Sequence, residues 1–274
     1  MKRLFAALMA ALTLGACGCK DASRPAQTAP INLVTGTPAE PTQDPAQESG
    51  QTSAEPTQET EPAEPTASPN ERTAALLAQM TPEEKAGQVV LGRFPESSEV
   101  EQAQTYHLGG YTLFAEDFKD VTPEQAAERS ARLQQAMPLG MLLAADEEGG
   151  SIVRLSKFPQ YRAEPFPAPQ AVLESGGLAG VAADAAEKAA LLKSAGLNMN
   201  LAPVCDLPRS ADDYIAPRAF GTDEPQVSAA VGAAAASYAE NGLICTLKHF
   251  PGYGNNADTH TGISIDKRPP EELE

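Results

Sequence analysis

From residue 71 onward the chain alternates short apolar runs with stretches of helical periodicity, and this restricts the fold more than any other feature. The runs at 88–94, 109–114, 141–145, 197–206 and 242–247 read as strands. The stretches at 72–80, 81–87, 100–106, 122–136, 181–195 and 226–241 read as helices, and the Pro-rich segment 158–169 reads as loop. Strands separated by helices predict a parallel sheet built of βα units. Polar residues close each strand: Arg93, Glu116-Asp117, Asp146, Asp206 and Lys248-His249. In a (β/α)8 barrel such strand ends converge on one face. A doubly wound sheet would place a Gly-rich phosphate loop after the first strand, and Leu91-Gly92-Arg93-Phe94-Pro95 is not one. The expected fold is therefore α/β of the (β/α)8 TIM-barrel type, with about the first five βα units lying in residues 71–274.

Local signals mark the helix ends. Thr81-Pro82-Glu83-Glu84 and Thr122-Pro123-Glu124-Gln125 each offer a hydroxyl cap, a proline at the first helical position and a side-chain acceptor three residues after the cap. Gly196 and Gly242 stand where two helices should stop. His107 is expected at a helix C-terminus, where a cation is favourable.

The N-terminal quarter has a different character. Lys2 and Arg3 precede an apolar run, Leu4 to Leu14, too short to span a bilayer and laid out like a secretory signal. Leu14-Gly15-Ala16-Cys17 resembles the bacterial lipoprotein box, which makes Cys17 the expected lipidation site within a signal segment 1–19. Residues 20–70 are rich in Pro, Thr, Gln and Glu, lack aromatics, and are expected to form a disordered linker that spaces the folded part from the membrane. The expected location is extracytoplasmic, lipid-anchored to the bacterial cell membrane.

A formal net charge of −17 at pH 7, with no tryptophan and no Lys/Arg cluster in the folded part, argues against a nucleic-acid partner. Cys205 and Cys245 lie in apolar runs and read as buried free thiols, a bridge between them being the less favoured alternative.

The densest chemistry lies at Lys248-His249-Phe250-Pro251-Gly252-Tyr253-Gly254-Asn255-Asn256-Ala257-Asp258-Thr259-His260, which holds two of the three histidines in the chain. Polar groups leaving the end of an apolar strand into a Gly/Pro loop suit a binding or catalytic site. The bland alternative is a loop whose histidines cap neighbouring backbone. A metal held by His249, Asp258 and His260 is disfavoured, because the spacing is not that of a zinc site.

Four ordered segments carry a resemblance. Asp146-Glu147-Glu148-Gly149-Gly150-Ser151-Ile152-Val153-Arg154 is similar to D-x-E-G-G-x-V-x-R, and residues 196–206 are similar to G-x-N-x-N-x-A-P-V-x-D. Arg218-Ala219-Phe220-Gly221 is similar to R-x-F-G, and residues 248–260 are similar to K-H-F-P-G-x-G followed by D-x-H. Together they resemble glycoside hydrolase family 3, in its β-N-acetylglucosaminidase branch, over about residues 71–268. The D-x-H element separates that branch from the β-glucosidases and β-xylosidases of the family.

The resemblance implies hydrolysis of terminal β-linked N-acetylhexosamine with retention, on amino-sugar glycans or peptidoglycan fragments and without a cofactor. It implies that Asp146, Arg218, Lys248 and His249 hold the sugar, that His260 is the general acid/base and that Asp258 orients it. Glu147 and Glu148 are expected to be structural, hydrogen-bonding loop backbone, while Asp206 is open between orienting its neighbours and touching substrate. The family's nucleophilic aspartate falls downstream of the D-x-H element, at a position this sequence does not contain. The chain is accordingly expected to be truncated, inactive alone and poorly stable, with a sugar-binding lipoprotein lacking chemistry as the rival reading.

Overall fold

The computed structural model describes residues 68–269 and Glu271. The signal, Cys17 and most of the linker reading lie outside the described residues. Five strands, β1 (Leu91–Arg93), β2 (Gly110–Leu113), β3 (Leu142–Ala145), β4 (Met199–Asn200) and β5 (Ile244–Cys245), form one sheet in the order β1-β2-β3-β4-β5. Every pairing is parallel. Each new strand joins beside its predecessor on the same side, as in a barrel; a doubly wound sheet would reverse direction at a switch point. The α/β, barrel-type expectation holds.

Among the described residues six α-helices accompany the strands: α1 (Pro69–Gln79), α2 (Pro82–Gln88), α3 (Glu99–Thr105), α4 (Pro123–Ala136), α5 (Pro169–Ser194) and α6 (Glu224–Glu240). Successive helices pack on one another, α3 on α4, α4 on α5 and α5 on α6. The start signals read from sequence are reciprocal capping boxes: Thr81 with Glu84, and Thr122 with Gln125. α1 begins at Pro69, capped by Ser68 and Glu71, slightly before the expected start of the folded part, and none of its residues is buried. His107 sits just beyond α3, in a left-handed conformation with φ 52°.

Three elements differ from expectation. α5 begins within the segment read as Pro-rich loop, because Pro169 occupies its first turn, where a missing N–H costs nothing. Gly177 (φ 59°) then breaks it before the Ala-rich stretch that the periodicity marks. β4 is much shorter than the apolar run 197–206, and two asparagine side chains add bonds beside its backbone ladder. Asn198 Oδ1 accepts from Leu143 N at 2.8 Å while its Nδ2 donates to Met141 O at 2.8 Å. Asn200 does the same for Glu147, accepting from its N–H at 3.0 Å and donating to its carbonyl at 3.1 Å. β5 is also short, covering two of the six residues read as strand.

The main core lies between the sheet and the helices and includes Tyr111, Leu113, Leu143, Leu155, Ala189, Leu192 and Leu197. β2 and β3 are largely buried, whereas the outer strands β1 and β5 are not, with Leu91, Ile244 and Leu247 exposed. A smaller cluster of Val204, Ile215 and Tyr253, with Tyr214 against it, supports the loops beyond β4 and β5.

Candidate active site

The polar residues that follow β3, β4 and β5 meet at one end of the sheet. Lys248 Nζ lies 2.8 Å from Asp146 Oδ1 and 2.5 Å from Glu148 Oε1. Arg154 Nη2 approaches the other oxygen of Asp146 at 3.1 Å. Arg218 Nε and Nη2 each lie 2.8 Å from one oxygen of Glu148, a two-pronged pair almost wholly shielded from solvent. Four of the residues singled out from sequence, Asp146, Arg218, Lys248 and His249, thus come together around Glu148.

The loop after β3 has a physical reason for its glycines and its first glutamate. Gly149 has φ 103°, and a Cβ there would lie 2.2 Å from the carbonyl oxygen of Pro167. Glu147, fully buried, accepts from the backbone N–H groups of Arg154 and Leu155 at 2.8 Å each, and from the Ser156 hydroxyl. Its role is the expected one of tying down loop backbone. Glu148 departs from that expectation: its carboxylate pairs with Arg218 and Lys248, because two converging cations in a buried place require an anion between them.

His249 is fixed from both sides of its ring. Asp206 Oδ2 lies 2.7 Å from Nδ1 and accepts the His249 backbone N–H at 2.9 Å, and Arg218 Nη2 lies 3.1 Å from Nε2. A guanidinium only donates and an ionised carboxylate only accepts, so Nδ1 carries the proton and Nε2 is the acceptor. The Asp206 carboxyl has no exposed side-chain surface, and its other oxygen accepts the Tyr253 N–H, which makes orientation its role.

Electrostatics follow from these contacts. Burial pushes the Asp146 carboxyl upward, but Lys248 and then Arg154 outweigh it and hold the group below the ordinary carboxylate value. Asp206 is likewise pushed up by burial and held below its ordinary value by the hydrogen bonds from His249 and Tyr253. For Arg218, burial is overridden by Glu148 and its value is raised.

Asp258 and His260 form a separate pair farther along the loop. Asp258 Oδ1 accepts the His260 backbone N–H at 2.9 Å and lies 2.6 Å from its Nδ1; these two contacts lower the Asp258 carboxyl. The imidazole is 75% exposed, so its Nε2 side is open to a reactant. Two tyrosines connect this pair to the buried cluster. Tyr214 Oη accepts from Arg218 Nη1 at 3.3 Å and also interacts with the Asp258 carboxylate. Tyr253 packs edge-on to His249 at 5.0 Å and its hydroxyl lies 2.7 Å from Thr259 Oγ1. Tyr214, Tyr253 and Arg154 carried no role in the sequence reading, although Arg154 lies inside a quoted motif.

His249 and His260 belong to different carboxylates, and among the described residues no group of three His, Cys, Asp or Glu is placed to hold a metal. Cys205 and Cys245 are free and partly buried, and burial raises both thiols.

A parallel βα sheet wound in barrel order, with paired acids and cations at its strand ends, defines a barrel-type protein with a polar site on that face. Residues 81–274 match the glycosyl hydrolase family 3 N terminal domain, and the chain belongs to that family. It is 34% identical over 201 residues to a beta-hexosaminidase of Xylella fastidiosa (strain 9a5c), covering 68% of this chain and 55% of that protein. A beta-hexosaminidase of Xanthomonas axonopodis pv. citri (strain 306) is 36% identical over 171 residues, covering 61% of this chain and 50% of that protein. Among solved structures the chain is similar to M tuberculosis LpqI, with a TM-score of 0.63 and 26% identity over 73% of this chain and 57% of that one. The chain spans about half the length of the curated relatives it matches.

Proposed function

We propose that this chain forms the sugar-binding and acid/base part of a retaining β-N-acetylhexosaminidase. The observation that carries the reading is the clamp on Asp146, held between Lys248 and Arg154 beside the Arg218–His249 contact. A carboxylate kept ionised in a half-dry site is a strong acceptor for sugar hydroxyls, while Lys248 and Arg218 are fixed donors of known direction. His249, held in one tautomer by Asp206, presents its Nε2 to Arg218 and so fixes the direction of that guanidinium. The names of the two curated relatives support the same substrate class.

In the proposed chemistry His260 gives its proton to the leaving glycosidic oxygen and later takes one from water. Asp258 keeps the imidazole proton on Nδ1, so that Nε2 faces the reactant. Retention also requires a carboxylate nucleophile, and we assign no residue of this sequence to that role. We also propose lipidation at Cys17 and an extracytoplasmic site of action on amino-sugar glycans such as peptidoglycan fragments, with residues 20–70 as spacer.

The test is hydrolysis of 4-nitrophenyl N-acetyl-β-glucosaminide and the matching glucoside by the full-length protein. Turnover of the first, strongly preferred over the second and lost in Asp146→Ala, supports the reading. Equal turnover of both, or no binding of N-acetylglucosamine, contradicts it.

A further inference from the structure

On the reading of Asp258 and His260 as the proton-handling pair, we propose that Tyr214 is a positioning residue that ties this pair to the sugar-holding Arg218. Tyr214 and Arg218 lie four positions apart and are brought together by the short 3-10 turn Ala216–Arg218. Arg218 Nη1 donates to the Tyr214 hydroxyl oxygen at 3.3 Å, and the same hydroxyl interacts with the Asp258 carboxylate. These contacts assign the hydroxyl proton. A guanidinium only donates and an ionised carboxylate only accepts, so the tyrosine accepts from Arg218 and donates to Asp258. Burial raises the Tyr214 hydroxyl above its ordinary value, which keeps that proton in place at neutral pH. Hydrogen bonds therefore run in one direction, from Arg218 through Tyr214 to Asp258, whose Oδ1 meets His260 Nδ1 at 2.6 Å.

The dyad needs such a tie. His260 is exposed, and so are Thr259 and Thr261 on either side of it. A surface loop of this kind has few packed neighbours to fix its geometry. Tyr214 is better anchored: its ring centre lies 5.2 Å from that of Tyr253, and it packs against the buried cluster of Val204, Ile215 and Tyr253. Tyr253 reaches the same loop one residue before His260, through Thr259 Oγ1 at 2.7 Å. Tyr214 makes the link to the dyad's own carboxylate. Phenylalanine at this position would keep the ring packing and remove only the oxygen that joins Arg218 to Asp258.

The experiment is a pH titration of the Asp258 carboxyl carbon by NMR in the full-length protein and in Tyr214→Phe, the signal being assigned with Asp258→Asn. The two contacts from His260 lower this carboxyl most, and the Tyr214 hydroxyl adds to them. Losing the tyrosine donor should make Asp258 titrate at higher pH, with melting temperature and affinity for N-acetylglucosamine unchanged. Ring-carbon relaxation of His260 should report a more mobile imidazole. In turnover of a disaccharide, kcat should fall about tenfold at unchanged KM. An Asp258 titration and a His260 ring mobility that are the same in both proteins overturn the inference. So does a Tyr214→Phe that weakens sugar binding and leaves the Asp258 titration alone, which would make the tyrosine a sugar ligand. Wild type that binds no N-acetylglucosamine would sink the sugar-site reading, while the carboxyl titration, which needs no sugar, still decides the place of Tyr214.

Discussion

Lys248 and Asp146, 102 positions apart in the chain, meet at 2.8 Å where the ends of β3 and β5 come together. The sheet order makes that contact: β4 is the single strand between them. Replacing Lys248 by Met removes one of the two cations that hold Asp146 ionised. Affinity for N-acetylglucosamine should fall about ten- to a hundredfold, the worth of one hydrogen bond to a charged group. Isothermal titration of wild type and Lys248→Met checks this, and equal affinities would remove Lys248 from the site.

Acid should remove a stabilising contribution made by the site's carboxylates. Asp146 and Asp206 are both held below the ordinary carboxylate value in the folded chain. A depressed folded value means a contribution to stability that is complete above the unfolded value of roughly 3.9 and lost as pH falls through the folded one. Asp184, which burial raises, acts in the opposite sense and offsets part of it. Melting temperatures from about pH 6 down to about pH 3 should drop less steeply in Asp206→Asn than in wild type.

Asn200 is a structural prediction independent of catalysis. Its side chain satisfies both the N–H and the carbonyl of Glu147, and it also donates to the Tyr238 hydroxyl at 3.0 Å. Asn200→Ala strands a buried N–H and should cost about 1–3 kcal/mol in urea unfolding. A loss within about 0.5 kcal/mol, the usual range for a surface change, would show the staple to be dispensable.

Anchoring is tested at Cys17. Cys17→Ala should move the protein from the membrane fraction to the soluble fraction and abolish labelling by a radioactive fatty acid. Continued acylation of that variant would place the lipid elsewhere, with Cys19 the residue to examine.

Much of this fold was legible because its signals are local. Thr81 with Glu84, and Thr122 with Gln125, form the caps that their spacing predicts. Gly196 (φ 78°) and Gly242 (φ 65°) stand just past the helices they were expected to end. The polar strand ends also converge as the alternation requires. What stayed hidden depends on distant partners. Glu148 looks like a loop residue until Arg218, 70 positions away, is placed against it. The even reading of Asp206 is decided by His249, 43 positions on. The helical turn opened by Pro169 was masked by the prolines around it, since one residue type both starts helices and fills loops.

The central claim, that Asp258 and His260 handle the proton, is tested most directly by the leaving-group dependence of His260→Ala in the full-length protein. A disaccharide, whose sugar leaving group needs protonation, should be hydrolysed about a hundredfold to ten-thousandfold more slowly by the variant. The 4-nitrophenyl N-acetyl-β-glucosaminide, whose leaving group departs as an anion, should be slowed far less in its first step. Equal and small losses on both substrates would contradict the account and leave the exposed imidazole without a catalytic role.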